Sequence, residues 1–125
     1  GLVEESKNPV LDAVHAAQDM NGALTEFNRY LRKMFDWSFS IRSGINFGKA
    51  IVGNFDTGTM RKISAIGDAV NTASRIESAN KDFGTKLLIS QSAKEKIDGL
   101  ITAGKMHLAR LKGLSGEHRL YEIEI

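Results

Sequence analysis

The sequence contains no cysteine, so it can form neither a disulfide nor a thiolate metal site. No stretch approaches the roughly 18 to 20 uninterrupted apolar residues that would cross a bilayer, and the N-terminus lacks a signal-peptide pattern. The sequence also lacks a large excess of one sign of charge, because the net charge is only +2 and basic residues are spread among acidic ones. These absences favour a cytoplasmic location, and they argue against nucleic-acid polymers or a membrane surface as partners of this segment. They leave open whether a parent protein is tethered to a membrane.

The apolar content is sufficient for one core of ordinary size. The chain has 125 residues, 42% of them hydrophobic, which predicts at most one domain. Asn8-Pro9 is a favourable helix start, and apolar residues then recur at three- and four-residue steps from Val10 to Leu31. This pattern predicts an amphipathic helix that ends near Lys33 and packs one face on a sheet.

Alternating apolar and polar residues predict strands after this helix. Residues 38–46 alternate in this way and residues 50–55 form a second apolar run, so the two are predicted to pair as a hairpin. Gly44, Gly48 and Gly53 lie within or between these runs. A missing side chain at such positions permits a bend, a bulge or the close approach of another backbone.

The remaining elements are predicted from turn residues and short apolar runs. They are a turn at 56–59, a strand at 60–66, a helix to about residue 79, a loop at 80–84, a strand at 86–90, a helix at 92–98, and a final hairpin of 106–111 with 118–124. A sheet with helices gathered on one face follows from this order, which is an α+β architecture.

The segment from Ser64 to Arg75 holds the best candidates for a ligand site. An apolar approach meets Gly67-Asp68 and apolar residues then recur at helical spacing, so a strand is predicted to break into a helix. Asp68 is the predicted N-cap, and a helix start suits anions. Asn71 and Arg75 are four residues apart, so they share a face and can converge on one ligand. Without further context the two are more typical of surface residues than of a site.

Metal-ligand patterns are weak in this sequence. The three histidines show no pairing at metal-ligand spacing. The acidic residues outside the Gly67-Asp68 helix start are best interpreted as solvated charges on the first helix or in loops; they include Asp12, Asp19, Asp56 and Asp82.

Four segments together resemble the second half of the catalytic domain of class III nucleotidyl cyclases, the adenylyl and guanylyl cyclases. They are SIRSGINFGKAIVGNF, ISAIGDAVNTASRIES, LLISQSAKEKI and LKGLSGEHRLYEIE, and they follow one another at the family's spacing. The resemblance covers nearly all of residues 1–125 and implies a partial catalytic domain with a ferredoxin-like core and a mainly antiparallel sheet. It also implies that the first strands of the family's fold, with two metal-binding aspartates and a base-recognising lysine, are missing from this sequence.

The resemblance further implies a reaction and its partners. In a head-to-tail dimer, the ribose 3′-hydroxyl of ATP would attack the α-phosphate and pyrophosphate would leave, giving cyclic AMP. Two Mg²⁺ or Mn²⁺ ions, held by residues upstream of this sequence, would activate the reaction. The expected partners are ATP and a second cyclase domain in a homodimer, with strand exchange as one form of it. This chain alone is expected to lack activity.

The resemblance also assigns roles by motif position. Asn71 matches the asparagine that orients the ribose, and Arg75 matches the arginine that stabilises the pentavalent phosphate. Lys112 matches the lysine that holds the triphosphate, and Ser64 falls at the base-recognition position, where serine favours adenine. The structural residues expected at the site are Gly67, Asp68 and Gly53.

Other hypotheses stay open at this point. Ser64 can both donate and accept a hydrogen bond, so a guanylyl cyclase is an alternative. Met60 stands where the family often has arginine, and Ile63 stands where it often has an aromatic residue. These departures and the missing half also fit a catalytically inactive module that binds a nucleotide or a partner cyclase domain. A general phosphate-binding α+β domain is the remaining alternative.

Overall fold

The computed structural model describes residues 5–56, 58 and 61–125, without the side chains of residues 55, 56 and 61–64. The elements are α1 (Pro9–Phe35), β1 (Ser43–Ile45), β2 (Ile51–Asp56), β3 (Arg61–Ile66), α2 (Asp68–Phe83), β4 (Leu87–Ser90), α3 (Gln91–Ile97), β5 (Met106–Ala109) and β6 (His118–Glu122). None of the described helices combines the length and the apolar character that crossing a membrane requires.

Four strands form a mixed sheet in the order β1-β4-β6-β5, and β2 pairs with β3 in a separate ribbon. The β1–β4 pair is parallel, whereas the β2–β3, β4–β6 and β5–β6 pairs are antiparallel. The α+β class and the mainly antiparallel pairing are therefore confirmed. The final hairpin is also confirmed, with β5 and β6 in register from Met106 opposite Tyr121 to Ala109 opposite His118.

The core is divided between the two faces of the four-stranded sheet, because successive residues of a strand point to opposite sides. Leu87 and Ile89 of β4 pack with Val14 of α1 and Ile97 of α3. Leu88 packs on the other side, in a cluster that contains Ile76 of α2. The helices thus cover both faces, so the prediction that they gather on one face is wrong. A strand that is apolar at consecutive positions, as β4 is, is typical of this arrangement.

Helix α1 is confirmed almost to the residue. The Asn8 side chain accepts a hydrogen bond from the Leu11 backbone N–H at 3.1 Å, and Pro9 is the first helical residue. The helix ends at Phe35, two residues beyond the predicted Lys33, and Asp36 closes it in the left-handed region. Local capping chemistry and periodicity were therefore sufficient to predict this element.

The predicted pairing of residues 38–46 with 50–55 is wrong. β1 pairs with β4 and β2 pairs with β3 instead. The chain after β1 is held elsewhere, because the Asn46 amide donates to the Ala69 carbonyl at 3.0 Å and Ser92 Oγ donates to the Phe47 carbonyl at 2.9 Å. These bonds attach the segment to the starts of α2 and α3, so it does not fold back on β1.

The predicted loop at 80–84 is also wrong, because α2 continues to Phe83 and ends at Gly84. Asn80 suggested a loop but is only 1% exposed. Its amide nitrogen donates to the carbonyls of Ser43 at 2.9 Å and Glu77 at 3.0 Å, and its Oδ1 accepts from Thr85 Oγ1 at 2.7 Å. A buried amide is tolerated in the helix because its polar atoms have partners. These bonds also join α2 to the end of β1.

Candidate functional site

The candidate site lies at the N-terminal end of α2, directly after β3. Gly67 is the N-cap, with φ 132° and ψ −179°, and no side chain caps the helix. The prediction that Asp68 is the N-cap is therefore wrong; Asp68 is the first helical residue. The abrupt change of direction requires a backbone conformation that glycine tolerates and other residues rarely adopt. The carboxylate of Asp68 still lies in the first turn, where a negative charge favours the helix.

Asn71 and Arg75 are both exposed on α2 and lie four residues apart, so they share one face as predicted. Among the residues that the structure describes, neither side chain has a hydrogen-bond or ion-pair partner. An amide in the first turn of α2 and a guanidinium one turn further along are thus available on one face. The arrangement suits a ligand that carries hydroxyl groups and negative charge.

A neighbouring face of α2, about 100° around the helix from Asn71 and Arg75, lines a cavity of about 430 Å³. Thr72 and Ile76 form one wall, Ser92 at the start of α3 forms another, and His118 of β6 forms a third. The Nε2 atom of His118 is buried and has no hydrogen-bond partner in the described part of the chain. The sequence did not predict this cavity, because its walls come from three segments that no spacing relates.

Lys112 lies exposed in the turn between β5 and β6. The Leu114 N–H donates to the Leu111 carbonyl at 3.0 Å, and Gly113 has φ 81°, so the turn is tight. Leu111 is buried in the same cluster as Ile76 of α2, and Leu114 packs against that cluster. The core therefore anchors both sides of the lysine against the helix that carries Arg75.

Two further predicted residues lie in the separate ribbon. The backbones of Gly53 and Ser64 are directly opposite each other in the β2–β3 register. The side chain of Ser64 lies outside the described residues, as does all of Met60, so base recognition at this position stays a prediction. No described atom lies within 4 Å of where a Cβ at Gly53 would be, so packing does not explain that glycine.

The sheet edge beside β1 borders an apolar groove of about 560 Å³ between α1 and α2. Small side chains from both helices line it, among them Ala17 and Ala73. Arg42 Nε lies 3.4 Å from Glu77 Oε1 at its rim. In the described ranges β1 pairs with no strand other than β4, so its other edge has no strand partner.

The described side chains do not fit the metal ions that the resemblance implies. Within the described portion, no group of three or more histidine or acidic residues is placed to hold a cation. Mg²⁺ and Mn²⁺ prefer carboxylate oxygens.

The family model described as the adenylate and guanylate cyclase catalytic domain matches residues 1–124. Adenylate cyclase 1 of Rhizobium meliloti is 33% identical over an alignment of 121 positions, which covers 92% of this chain and 18% of that protein.

Solved structures show the same fold. The adenylyl cyclase CyaB from P. aeruginosa superposes with a TM-score of 0.79 and 28% identity over 93% of this chain and 59% of that one. The guanylate cyclase domain of RhGC from Catenaria anguillulae, solved in complex with GTP, has a TM-score of 0.74 and 27% identity, covering 98% and 63%. The present chain thus spans less than a fifth of the length of the curated relative and about three fifths of the solved chains. The predicted cyclase-like core is confirmed by these superpositions.

Proposed function

Because the chain belongs to the adenylate and guanylate cyclase catalytic domain family, we propose that it supplies the ribose-binding and transition-state half of an adenylyl cyclase site. The observation that carries the proposal is the pair of exposed, unpartnered side chains, Asn71 and Arg75, on the first turns of α2 within the described structure. The choice of ATP is supported by Ser64 and by the relatives named adenylate cyclase. GTP is the alternative substrate.

In this reaction the 3′-oxygen of ribose forms a bond to the α-phosphorus, the bond from that phosphorus to the bridging oxygen breaks, and pyrophosphate leaves. Arg75 carries a permanent charge and a planar set of N–H donors, which suit the negative charge that spreads over the phosphoryl oxygens. Asn71 lies one helical turn before it and would hold a ribose hydroxyl in line for attack. Lys112, anchored next to α2, would bind the leaving phosphates.

We place the metal ligands outside the described residues. By the family resemblance, bound Mg²⁺ or Mn²⁺ would supply activation of the attacking hydroxyl and neutralisation of the phosphate charge. No described cluster suits either ion, so we assign this chain no metal-dependent step.

A second cyclase domain is the proposed partner. Asn71 and Arg75 lie on an exposed surface, so water would reach a bound nucleotide from the open side. The ribbon next to them carries exposed apolar side chains, with Ile51 67% and Val52 49% exposed. Apolar patches of this kind are typical of interfaces. We propose a homodimer in which a second domain covers this face.

Calorimetric titration with a non-hydrolysable ATP analogue tests the proposal. The chain alone is expected to show no cyclase activity even with Mn²⁺, because the described residues offer no metal site. Together with a cyclase domain that has its metal ligands, it is expected to bind the analogue and to produce cyclic AMP. Absence of nucleotide binding in both settings would contradict the proposal.

An inactive, nucleotide-binding regulatory module is the second candidate function, favoured by the lack of a metal cluster among the described side chains. Binding of the analogue without turnover, in the presence of the metal-competent partner, would support this candidate. Turnover that depends on Arg75 would exclude it.

Self-association is expected for the chain because of its unpaired β1 edge and the apolar groove beside it. An open strand edge next to apolar surface favours pairing with another strand. Size-exclusion chromatography with light scattering should show dimers or larger species, whose fraction rises with protein concentration. Introducing a charge into the groove with Met20→Lys, at a side chain that is 49% exposed, should reduce this fraction. A monomer at all concentrations would contradict both the expected association and strand exchange.

A further inference from the structure

A strongly basic pocket lies on α1, separate from the proposed cyclase site. Its volume is about 360 Å³, and it opens between the C-terminal half of α1 and the residue before β4. Its walls are formed by Thr25, Asn28, Arg29, Arg32 and Lys86. α1 and α2 pack on opposite faces of the sheet, so this pocket is remote from the surface that carries Asn71 and Arg75.

Three cationic side chains converge on this pocket without a counter-charge. Arg29 and Arg32 are three residues apart and therefore adjacent on the helix surface. Lys86 approaches from the sheet, where its carbonyl accepts a hydrogen bond from the Ser43 N–H at 2.8 Å. Over the described ranges, none of the three cations forms an ion pair, whereas Arg42 and Lys94 do. All three side chains are exposed, so water and salt weaken their mutual repulsion, and a bound anion would remove the rest.

The uncharged members of the pocket are already engaged with the protein. The Asn28 side chain donates to the Phe39 carbonyl and accepts from the Phe39 N–H, both at 2.7 Å. Thr25 Oγ1 donates to the Asn21 carbonyl at 3.0 Å. The groups left for a ligand are thus the guanidinium and ammonium groups, which donate hydrogen bonds and accept none. A complementary ligand has only acceptors and carries more than one negative charge.

The helix dipole explains only part of this arrangement. Basic residues in the last turn of a helix interact favourably with its C-terminal end, and Arg32 and Lys33 lie there. The dipole gives no reason for Lys86, which is outside the helix, to face the same cavity. Lys33 does not line the pocket and therefore serves as a matched control.

We propose that this pocket binds a phosphate-class oxyanion, either free inorganic phosphate or the phosphoryl group of a small phosphate monoester. Arginine pairs are well suited to such groups because their planar donors bind two oxygens at once. Bound between α1 and Lys86, the anion would also link the helix to the sheet. This inference does not depend on the cyclase proposal.

Backbone amide NMR of the 125-residue chain, titrated with inorganic phosphate at constant ionic strength, tests the inference. Phosphate is expected to shift the amides of residues 25–32 and of Lys86. The double variant Arg29→Gln and Arg32→Gln should weaken the apparent affinity at these amides at least tenfold, by removing two charged donors. Gln has nearly the helix propensity of Arg, so α1 should stay folded; Lys86→Gln, outside the helix, provides a second test.

Two controls make the result specific. Lys33→Gln removes the same charge from the same helix and should leave the affinity unchanged within twofold. Arg75→Ala should also leave it unchanged, which distinguishes this pocket from the proposed cyclase site. A parallel titration with glycerol 3-phosphate identifies the source: tighter binding than inorganic phosphate supports a monoester, and equal binding supports the free ion. No shift in residues 25–32, shifts that persist in the double variant, or equal weakening in Lys33→Gln would overturn the inference.

Discussion

Replacing Arg75 with alanine is expected to lower kcat by about two to three orders of magnitude in an active cyclase that combines this chain with a metal-binding half. The guanidinium is proposed to meet charge that develops on the α-phosphoryl oxygens only during the reaction. Losing such an interaction lowers kcat more than it raises KM. Steady-state kinetics with ATP, measured as cyclic AMP formed per enzyme dimer, provides the comparison.

Two variants of the same helix separate this role from a structural one. Arg75→Lys keeps the positive charge but loses the planar pair of donors, so it should recover only part of the rate. Lys81→Ala removes an exposed positive charge from the last turn of α2, away from the site, and should leave kcat unchanged. A loss below tenfold in Arg75→Ala, or a change in KM alone, would show that Arg75 does not act in the transition state.

Local patterns in the sequence were sufficient to predict features that depend only on residues close together in the chain. The spacing of apolar residues and the Asn8-Pro9 start predicted α1, and the four-residue spacing placed Asn71 and Arg75 on one face. Both results depend only on helix geometry and on capping.

The pattern could not identify strand partners. The alternation in residues 38–46 is real, but alternation does not specify which strand pairs with which. The side-chain bonds of Asn46 and Ser92 decide the path of the chain, and they join residues 23 and 45 positions apart in sequence. The cap at Gly67 was missed for a related reason: a left-handed φ was needed at the strand-to-helix break, and Asp68 gave a stronger chemical signal than glycine did.

In the candidate site, too, local patterns predicted some features, whereas others depend on contacts between distant segments. Only the family resemblance assigned Lys112 to the same site as the residues on α2. Its position next to α2 depends on Leu111, which packs in the cluster that contains Ile76. The cavity beside His118 and the basic pocket on α1 are each built from separated segments. Sequence spacing carries no information about such contacts, whereas the folded chain displays them directly.

Gly44 joins the sheet to the helix that carries the proposed site. It lies in β1 opposite Leu88 of β4, and α2 crosses it so closely that backbone contacts backbone. A Cβ at this position would lie 2.3 Å from the Glu77 backbone nitrogen and 2.7 Å from the Ala73 carbonyl oxygen. Neither atom can rotate away as a side chain can, so an added methyl group would have to displace α2 or β1.

Gly44→Ala is therefore expected to lower the free energy of unfolding by about 3 kcal/mol, at the upper end of the range for overpacking. Because α2 would shift, the same substitution should also impair nucleotide binding through Asn71 and Arg75. Urea denaturation followed by circular dichroism measures the first effect. The matched control is Gly22→Ala within α1, where a Cβ meets no atom within 4 Å and helix propensity predicts a gain of about 0.5 to 1 kcal/mol. If Gly44→Ala were as stable as the unsubstituted chain, the close contact between β1 and α2 would not exist in solution. The position of Asn71 and Arg75 relative to the sheet would then need a different explanation.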